Sequence, residues 1–319
     1  MITSRRHFIA LGTALMTAPH IALANAPLNV VATTGMIADT VRQIGGTEVQ
    51  VRALMGPGVD PHAYRQTRSD IAAMTQADVV LWNGLYLEAQ MEEFLLKLGR
   101  RTTVVAVGEA VAETDLIAHE DYEGRFDPHL WMVPRLWTQV AAETARVLSD
   151  ARPEAADIFA ANLARFTEEL DALQTYGETV LASVPDTARV LLSAHDAFGY
   201  FGAAYGYEVM GIQGISTESE AGLNRISTLV DMLVDRDIRA VFVESSVSDR
   251  NVRALIEGTA ARGHEVKIGG ELFSDAMGED GTYEGTLIGM LDHNFTTVSQ
   301  ALGGSAPDRG LNGRLAAGS

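Results

Sequence analysis

The sequence predicts an α/β fold: two lobes, each with a parallel sheet flanked by helices, joined by one long rigid linker helix. Three observations predict it. Short apolar runs of strand character alternate with helical stretches from residue 28 onward, as in βαβ units around a parallel sheet. The same plan recurs in the second half of the chain, as repeated architecture and not as a sequence repeat of fixed period. Between the halves, residues 153–184 carry one apolar stripe.

The elements follow in order. Residues 28–34 form a buried-strand pattern, and a helix over 36–44 ends at Gly45-Gly46. Strands follow at 49–55, 78–82 and 103–107, with helices at 69–77 and 87–98. Pro153 suits a helix first turn, and Glu154 and Asp157 suit its positive end. Phe159, Leu163, Phe166, Leu170 and Leu173 recur at spacings of four and three, with only Gly177 interrupting the stretch. At 1.5 Å per residue, about 30 residues make a rod of roughly 45 Å, which leaves little room for hinge bending. In the second half, strands are expected at 189–194, 207–211, 240–244 and 264–268, and helices at 225–236 and 249–262. The tail from Gly303 is rich in Gly, Ala and Ser and reads as flexible. The expected organisation is therefore a signal peptide (1–24), an N-terminal lobe (25–152), a linker helix (153–184), a C-terminal lobe (185–302) and a tail (303–319).

A chain of 319 residues fits about two domains of roughly 100–200 residues each. Hydrophobic residues at 47% and charged residues at 21% exclude a disordered or fibrous chain. A net charge of −18 repels phosphate backbones, so no nucleic-acid partner is expected. No apolar run reaches about 18 residues, so no mature segment is expected to span a membrane. With no cysteine, disulfides, thiolate metal sites, Fe–S clusters, cysteine nucleophiles and an acylated lipoprotein cysteine are excluded.

The first 24 residues contain no acidic group and read as an address. Arg5 and Arg6 precede an apolar segment from Phe8, and Ala22-Leu23-Ala24 is an A-x-A cleavage site. Ser4-Arg5-Arg6-His7-Phe8-Ile9 resembles a twin-arginine export signal. The expected mature protein is periplasmic, cleaved after Ala24, monomeric and not a lipoprotein.

The histidines carry the chemistry. His62 lies in Asp60-Pro61-His62 after the second strand, and His129 in Asp127-Pro128-His129. His195 directly follows a strand, and ligands of open α/β sheets gather at the carboxyl ends of strands. Proline fixes the backbone ahead of each of the first two imidazoles, and the aspartate before it can cap a helix or orient the ring. A single Asp-Pro-His is a common turn; two copies plus a histidine at a strand end favour a metal site. Asp275, after the last strand, reads alone as a cap or turn residue. Glu244 ends a strand either as a carboxylate near the cleft, behind the ligands, or as a plain strand-end carboxylate. His119, in His119-Glu120-Asp121, reads as an exposed acidic loop, and His264 and His293 as structural. P-loop, dinucleotide-fingerprint, HExxH and GxSxG motifs are absent.

Asp60-Pro61-His62, Asp127-Pro128-His129-Leu130-Trp131, His195-Asp196-Ala197-Phe198 and Phe273-Ser274-Asp275 stand in the order seen in the TroA-like (cluster A-I) zinc/manganese solute-binding proteins of ABC metal importers, which the chain resembles over about residues 28–302. Gly214-Ile215-Ser216-Thr217-Glu218-Ser219-Glu220 and Val243-Glu244-Ser245-Ser246-Val247 are similar to family segments too. The resemblance implies one metal in the cleft between the lobes, with the four ligand positions falling on His62, His129, His195 and Asp275. It also implies a binding protein and no enzyme, carrying Zn²⁺, or alternatively Mn²⁺, as transported ligand. The expected partner is the membrane permease, with a periplasmic metallochaperone second. Manganese-specific members usually have glutamate at the third position, where this chain has His195. Many zinc members carry a histidine-rich loop before the second ligand; here it is short, with His119 alone. Three imidazoles and a carboxylate form a closed four-coordinate set that suits Zn²⁺. The alternatives are a zinc hydrolase, which needs an open coordination position and a base, and an adhesion or binding protein with a structural metal.

Overall fold

A computed structural model describes residues 26–119, 122–218 and 221–316. The export signal expected in 1–24 lies outside the described residues.

Strands β1 (Leu28–Ala32), β2 (Val49–Ala53), β3 (Val79–Trp82) and β4 (Thr103–Ala106) form one parallel sheet in the order β2-β1-β3-β4. Helices α1 (Gly35–Gly45), α2 (Arg68–Gln76) and α3 (Glu92–Leu98) connect them. The Thr34 hydroxyl caps α1, and Thr67 with Asp70 makes a capping box on α2. Two long helices follow, α4 (Pro134–Ala151) and α5 (Ala156–Ala182).

The second half contains α6 (Gly199–Tyr205), α7 (Leu223–Asp235), α8 (Arg250–Ala260) and α9 (Leu287–Ala301) around four strands. Strand β5 (Val190–Ser193) pairs in parallel with β6 (Glu208–Gly211), and β7 (Ala240–Glu244) with β8 (Lys267–Leu272). Because β5 also lies against β7, the strands stand in the row β6-β5-β7-β8, the same crossing pattern as in the first half. Parallel sheets flanked by helices are thus the architecture, with nine α-helices among the described residues.

Helix α5 packs on α1 and α4 from the first half and on α6 and α9 from the second. Phe159, Phe166, Leu170 and Leu173 of the expected stripe are buried, and Leu163 is half-buried. One continuous hydrophobic core therefore runs from Val30 and Ile37 through α5 to Phe295 and Leu315. At Gly177 a Cβ would stand 2.8 Å from the Phe295 ring, so glycine allows the close approach of α5 and α9.

Three expectations are corrected. The last strand was placed at 264–268 but is Lys267–Leu272. Gly269 and Gly270 lie within the strand where α9 sits on it: a Cβ at Gly269 would lie 3.0 Å from both Phe242 and Ala301. The helix placed at 87–98 is shorter, since Leu85 and Tyr86 take positive φ and the chain turns before α3. Residues 303–316 of the expected flexible tail are mostly exposed but anchored at Gly310, Leu311 and Leu315. Leu315 is buried in the core, the Leu311 N–H donates to Asp292 Oδ1 (2.8 Å), and the Arg314 guanidinium lies over the Tyr283 ring. The small residues let the segment lie close, with Gly310 (φ +69°) against Asp292.

Candidate metal centre

The two Asp-Pro-His segments fold alike. Asp60 Oδ1 accepts the His62 N–H at 2.9 Å, and Asp127 Oδ1 accepts the His129 N–H at 2.9 Å. Each aspartate thus closes a turn onto the backbone two residues ahead, with proline fixing the link between. In the second segment, Asp127 Oδ1 also meets His129 Nδ1 at 2.7 Å. Tyr200 pins this turn from α6, its hydroxyl donating to the Asp127 carbonyl at 2.8 Å.

His195 follows β5 directly. Glu244, at the end of β7, accepts the His195 N–H at 2.8 Å on one oxygen and meets His195 Nδ1 at 2.5 Å with the other. Asp275 sits in the loop after β8. Trp131 Nε1 donates to the Ser274 carbonyl at 2.7 Å, and the Ser246 and Ser274 hydroxyls bond at 2.9 Å, so that loop is held from both sides.

These elements bring His62, His129, His195 and Asp275 together, all buried. One ligand atom from each lies within 4.8 Å of the others. His62 Nε2 is 3.3 Å from His129 Nε2, and Asp275 stands 3.2 Å from His129 Nε2 and 3.1 Å from His195 Nε2. A tetrahedral Zn²⁺ with bonds of about 2.0–2.1 Å needs ligand atoms about 3.3 Å apart. Both Asp275 oxygens and His195 Nε2 are buried, and the polar atoms near them are those of the quartet itself. Buried polar atoms need partners, and a cation among these would satisfy all at once.

The electrostatics match. Burial would raise the Asp275 carboxyl, but the imidazoles of His195 and His129 hold it well below the usual carboxylate range. Burial works against charged His129 and His195 too. Asp127 and Asp275 override it for His129, raising it to about 9, while Glu244 and Asp275 lift His195 well above the usual value. Burial pushes His62 down to about 3, helped by the other imidazoles. A charged carboxylate thus draws positive charge inward, and protons on two rings meet that demand when no metal is bound.

His119 departs from expectation. It is buried, not exposed, because an antiparallel bridge between Ala118 and Phe126 folds its loop inward and Tyr122 packs on the ring. It is not part of the four-residue cluster. His264 and His293 each meet a backbone carbonyl, those of Ile238 and Glu271. Three contacts escaped the sequence reading: Trp131 to Ser274, Tyr200 to Asp127, and Thr217 Oγ1 to Asp60 Oδ2 at 2.5 Å. All are long-range, and no local pattern announces them.

Fold and cluster together define a class, the α/β solute-binding proteins that enclose a small ligand between two halves. Residues 30–301 match the family model described as zinc-uptake complex component A, periplasmic (ZnuA). The chain belongs to this family, as the sequence resemblance implied. It is 47% identical over 280 residues to the manganese-binding lipoprotein MntA of Bacillus subtilis, covering 88% of this chain and 91% of that protein. It is 44% identical over 273 residues to the zinc-binding protein TroA of Treponema pallidum, covering 86% and 88%. The solved structure of that periplasmic zinc-binding protein superposes with a TM-score of 0.84 over 86% of this chain and 99% of its own.

The relatives correct the expected localisation. Those from Bacillus subtilis, Halalkalibacterium halodurans and Streptococcus mitis are named lipoproteins. The expectation of a periplasmic protein cleaved after Ala24 and free of lipid rested on residues 1–24 and on the lack of cysteine in the 319 residues. The names of those relatives stand against that expectation.

Proposed function

We propose that this protein is the solute-binding component of a zinc/manganese ABC importer, holding one divalent metal with His62, His129, His195 and Asp275 and passing it to the membrane permease. The observation that carries the reading is the buried quartet, whose ligand atoms converge within 4.8 Å and face one another. Asp127 and Glu244 hold the Nδ1 sides of His129 and His195, which aims each Nε2 inward and raises its basicity. The family consists of solute-binding proteins, so transport and not hydrolysis or adhesion is the function it supports.

On this reading residues 25–152 and 185–302 act as two lobes and 153–184 as the connector, in a monomer. Zinc is the favoured cargo. Imidazole suits Zn²⁺, Mn²⁺ prefers oxygen, and the Irving–Williams order places Zn²⁺ above Mn²⁺. His195 is the deciding position. The named relatives include a zinc-binding and a manganese-binding protein, so the preference rests on the donor set. Competition titration with both ions, with elemental analysis of the isolated protein, tests it. The expected result is one metal per chain and tighter Zn²⁺. Equal or tighter Mn²⁺, or a His195→Glu variant with no gain in Mn²⁺ preference, would overturn it.

A further inference from the structure

The three imidazoles are not held alike. Carboxylates grip the Nδ1 of His129 (Asp127, 2.7 Å) and of His195 (Glu244, 2.5 Å). Among the described residues no carboxylate grips the Nδ1 of His62; its hold is through the backbone, where Asp60 Oδ1 accepts its N–H. The other oxygen of Asp60 accepts from the Thr217 hydroxyl at 2.5 Å, from a segment 157 residues along in the opposite half. Gln213 in turn donates to the Thr217 carbonyl at 3.3 Å. One half-buried carboxylate therefore joins the His62 turn to the opposite wall of the cleft. A second bond across the cleft, between Gln90 and Glu218, touches no part of that turn.

We propose that Thr217 is a positioning residue that sets the rate of metal release: through Asp60 it holds the His62 turn in place, and His62 is the ligand freed first when the halves part. The inference rests on the proposed metal-binding function and adds to it an order of ligand loss. His129 and His195 are braced within the buried cluster by their own carboxylates. His62 keeps its position only while Asp60 keeps its own, and Thr217 is what Asp60 meets across the cleft. A threonine hydroxyl serves this role well, because its β-branch restricts χ1 and so the direction of the bond.

The test is stopped-flow transfer of Zn²⁺ from the loaded protein to excess chelator. Thr217→Val keeps the shape and deletes the hydroxyl; it should release Zn²⁺ about tenfold faster, the loss of one hydrogen bond to a charged group, with association unchanged. Thr217→Ser restores the hydroxyl and should return release to within about twofold of the parent. Asp60→Ala removes the carboxylate that joins Thr217 to the His62 turn and should release Zn²⁺ at least as fast as Thr217→Val, and serves if the valine variant folds poorly. Gln90→Ala removes the other bond across the cleft and should leave the rate near the parent's. An unchanged rate in Thr217→Val, a serine variant as fast as valine, or an equal acceleration in Gln90→Ala would overturn the proposal. Failure of the parent to bind Zn²⁺ in the preceding titration would instead refute the metal-binding function, so the two failures are separable.

Discussion

Loading the site with Zn²⁺ should expel about two protons at pH 7. The perturbation is metal binding itself. In the protein without metal, His129 is raised to about 9 and His195 well above its ordinary value, so both rings are charged at neutral pH. His62, pushed down to about 3, is already neutral, and Asp275 is already ionised. A metal can take the Nε2 of His129 and of His195 only by displacing a proton from each. Each such proton makes affinity tighten about tenfold per pH unit, or about 1.4 kcal/mol. Two protons make it about a hundredfold per unit while both rings are charged, and the His129 share is lost above about 9. The sign is that affinity falls as pH falls, because protons compete for the ligand atoms. Free histidines would have placed this loss below about pH 6.5; the carboxylates around the buried rings carry it through neutrality. The assay is calorimetric titration in buffers of different ionisation enthalpy, whose slope counts protons. Release of fewer than about one proton, or an affinity flat between pH 6 and 8, would refute the reasoning.

Other outcomes follow from the same contacts. Glu244→Gln keeps the shape at His195 but weakens its anchor, and Zn²⁺ affinity should fall roughly 10- to 100-fold in a chelator competition. His129→Ala should weaken binding far more than His119→Ala, which lies outside the quartet; equal effects in that competition would break the ligand assignment. Leu315→Ala should lower stability by about 2–5 kcal/mol in denaturant unfolding, as a core leucine does and a flexible tail residue does not.

The sequence made the local features legible. Asp-Pro-His read as a preset turn, and both copies fold as one. Strands with apolar runs appeared within a few residues of their places. Helix α9 could not be read, because most of its residues are buried and no polar face sets off a stripe. Helix α4 was overlooked despite a buried face and Pro134 in its first turn. The strand expected at 264–268 runs on to Leu272 through Gly269 and Gly270, where the absence of side chains admits α9. The tail misled for a similar reason: small residues there serve close packing on Asp292 and not freedom. The candidate site was legible as residue types, and Asp127 and Glu244 as possible carboxylates behind it, but which atoms they would meet was not. Glu244 and His195 lie 49 residues apart, and Thr217 and Asp60 157, and only the fold joins them.

The shared core limits how the protein can let its metal go. A wide hinge would pull α5 away from one half. On the second-half side, Leu173, Tyr176, Val180 and Phe295 are buried in the same core, and Tyr176 is tied to Thr296 on α9 by a 2.8 Å hydrogen bond. Exposing four such side chains costs about 1.5–3 kcal/mol each, or roughly 6–12 in all. That rivals the whole folding stability of a domain, about 5–15 kcal/mol, and no cleft bond compensates it. Movement should therefore concentrate in the loops that carry the ligands, around His62, Thr217 and Asp275, while α5 and its packing persist. X-ray scattering profiles of metal-free and loaded protein should nearly superimpose. A change in radius of gyration of the size seen in wide hinge closure would mean that the core across α5 parts more easily than its burial implies.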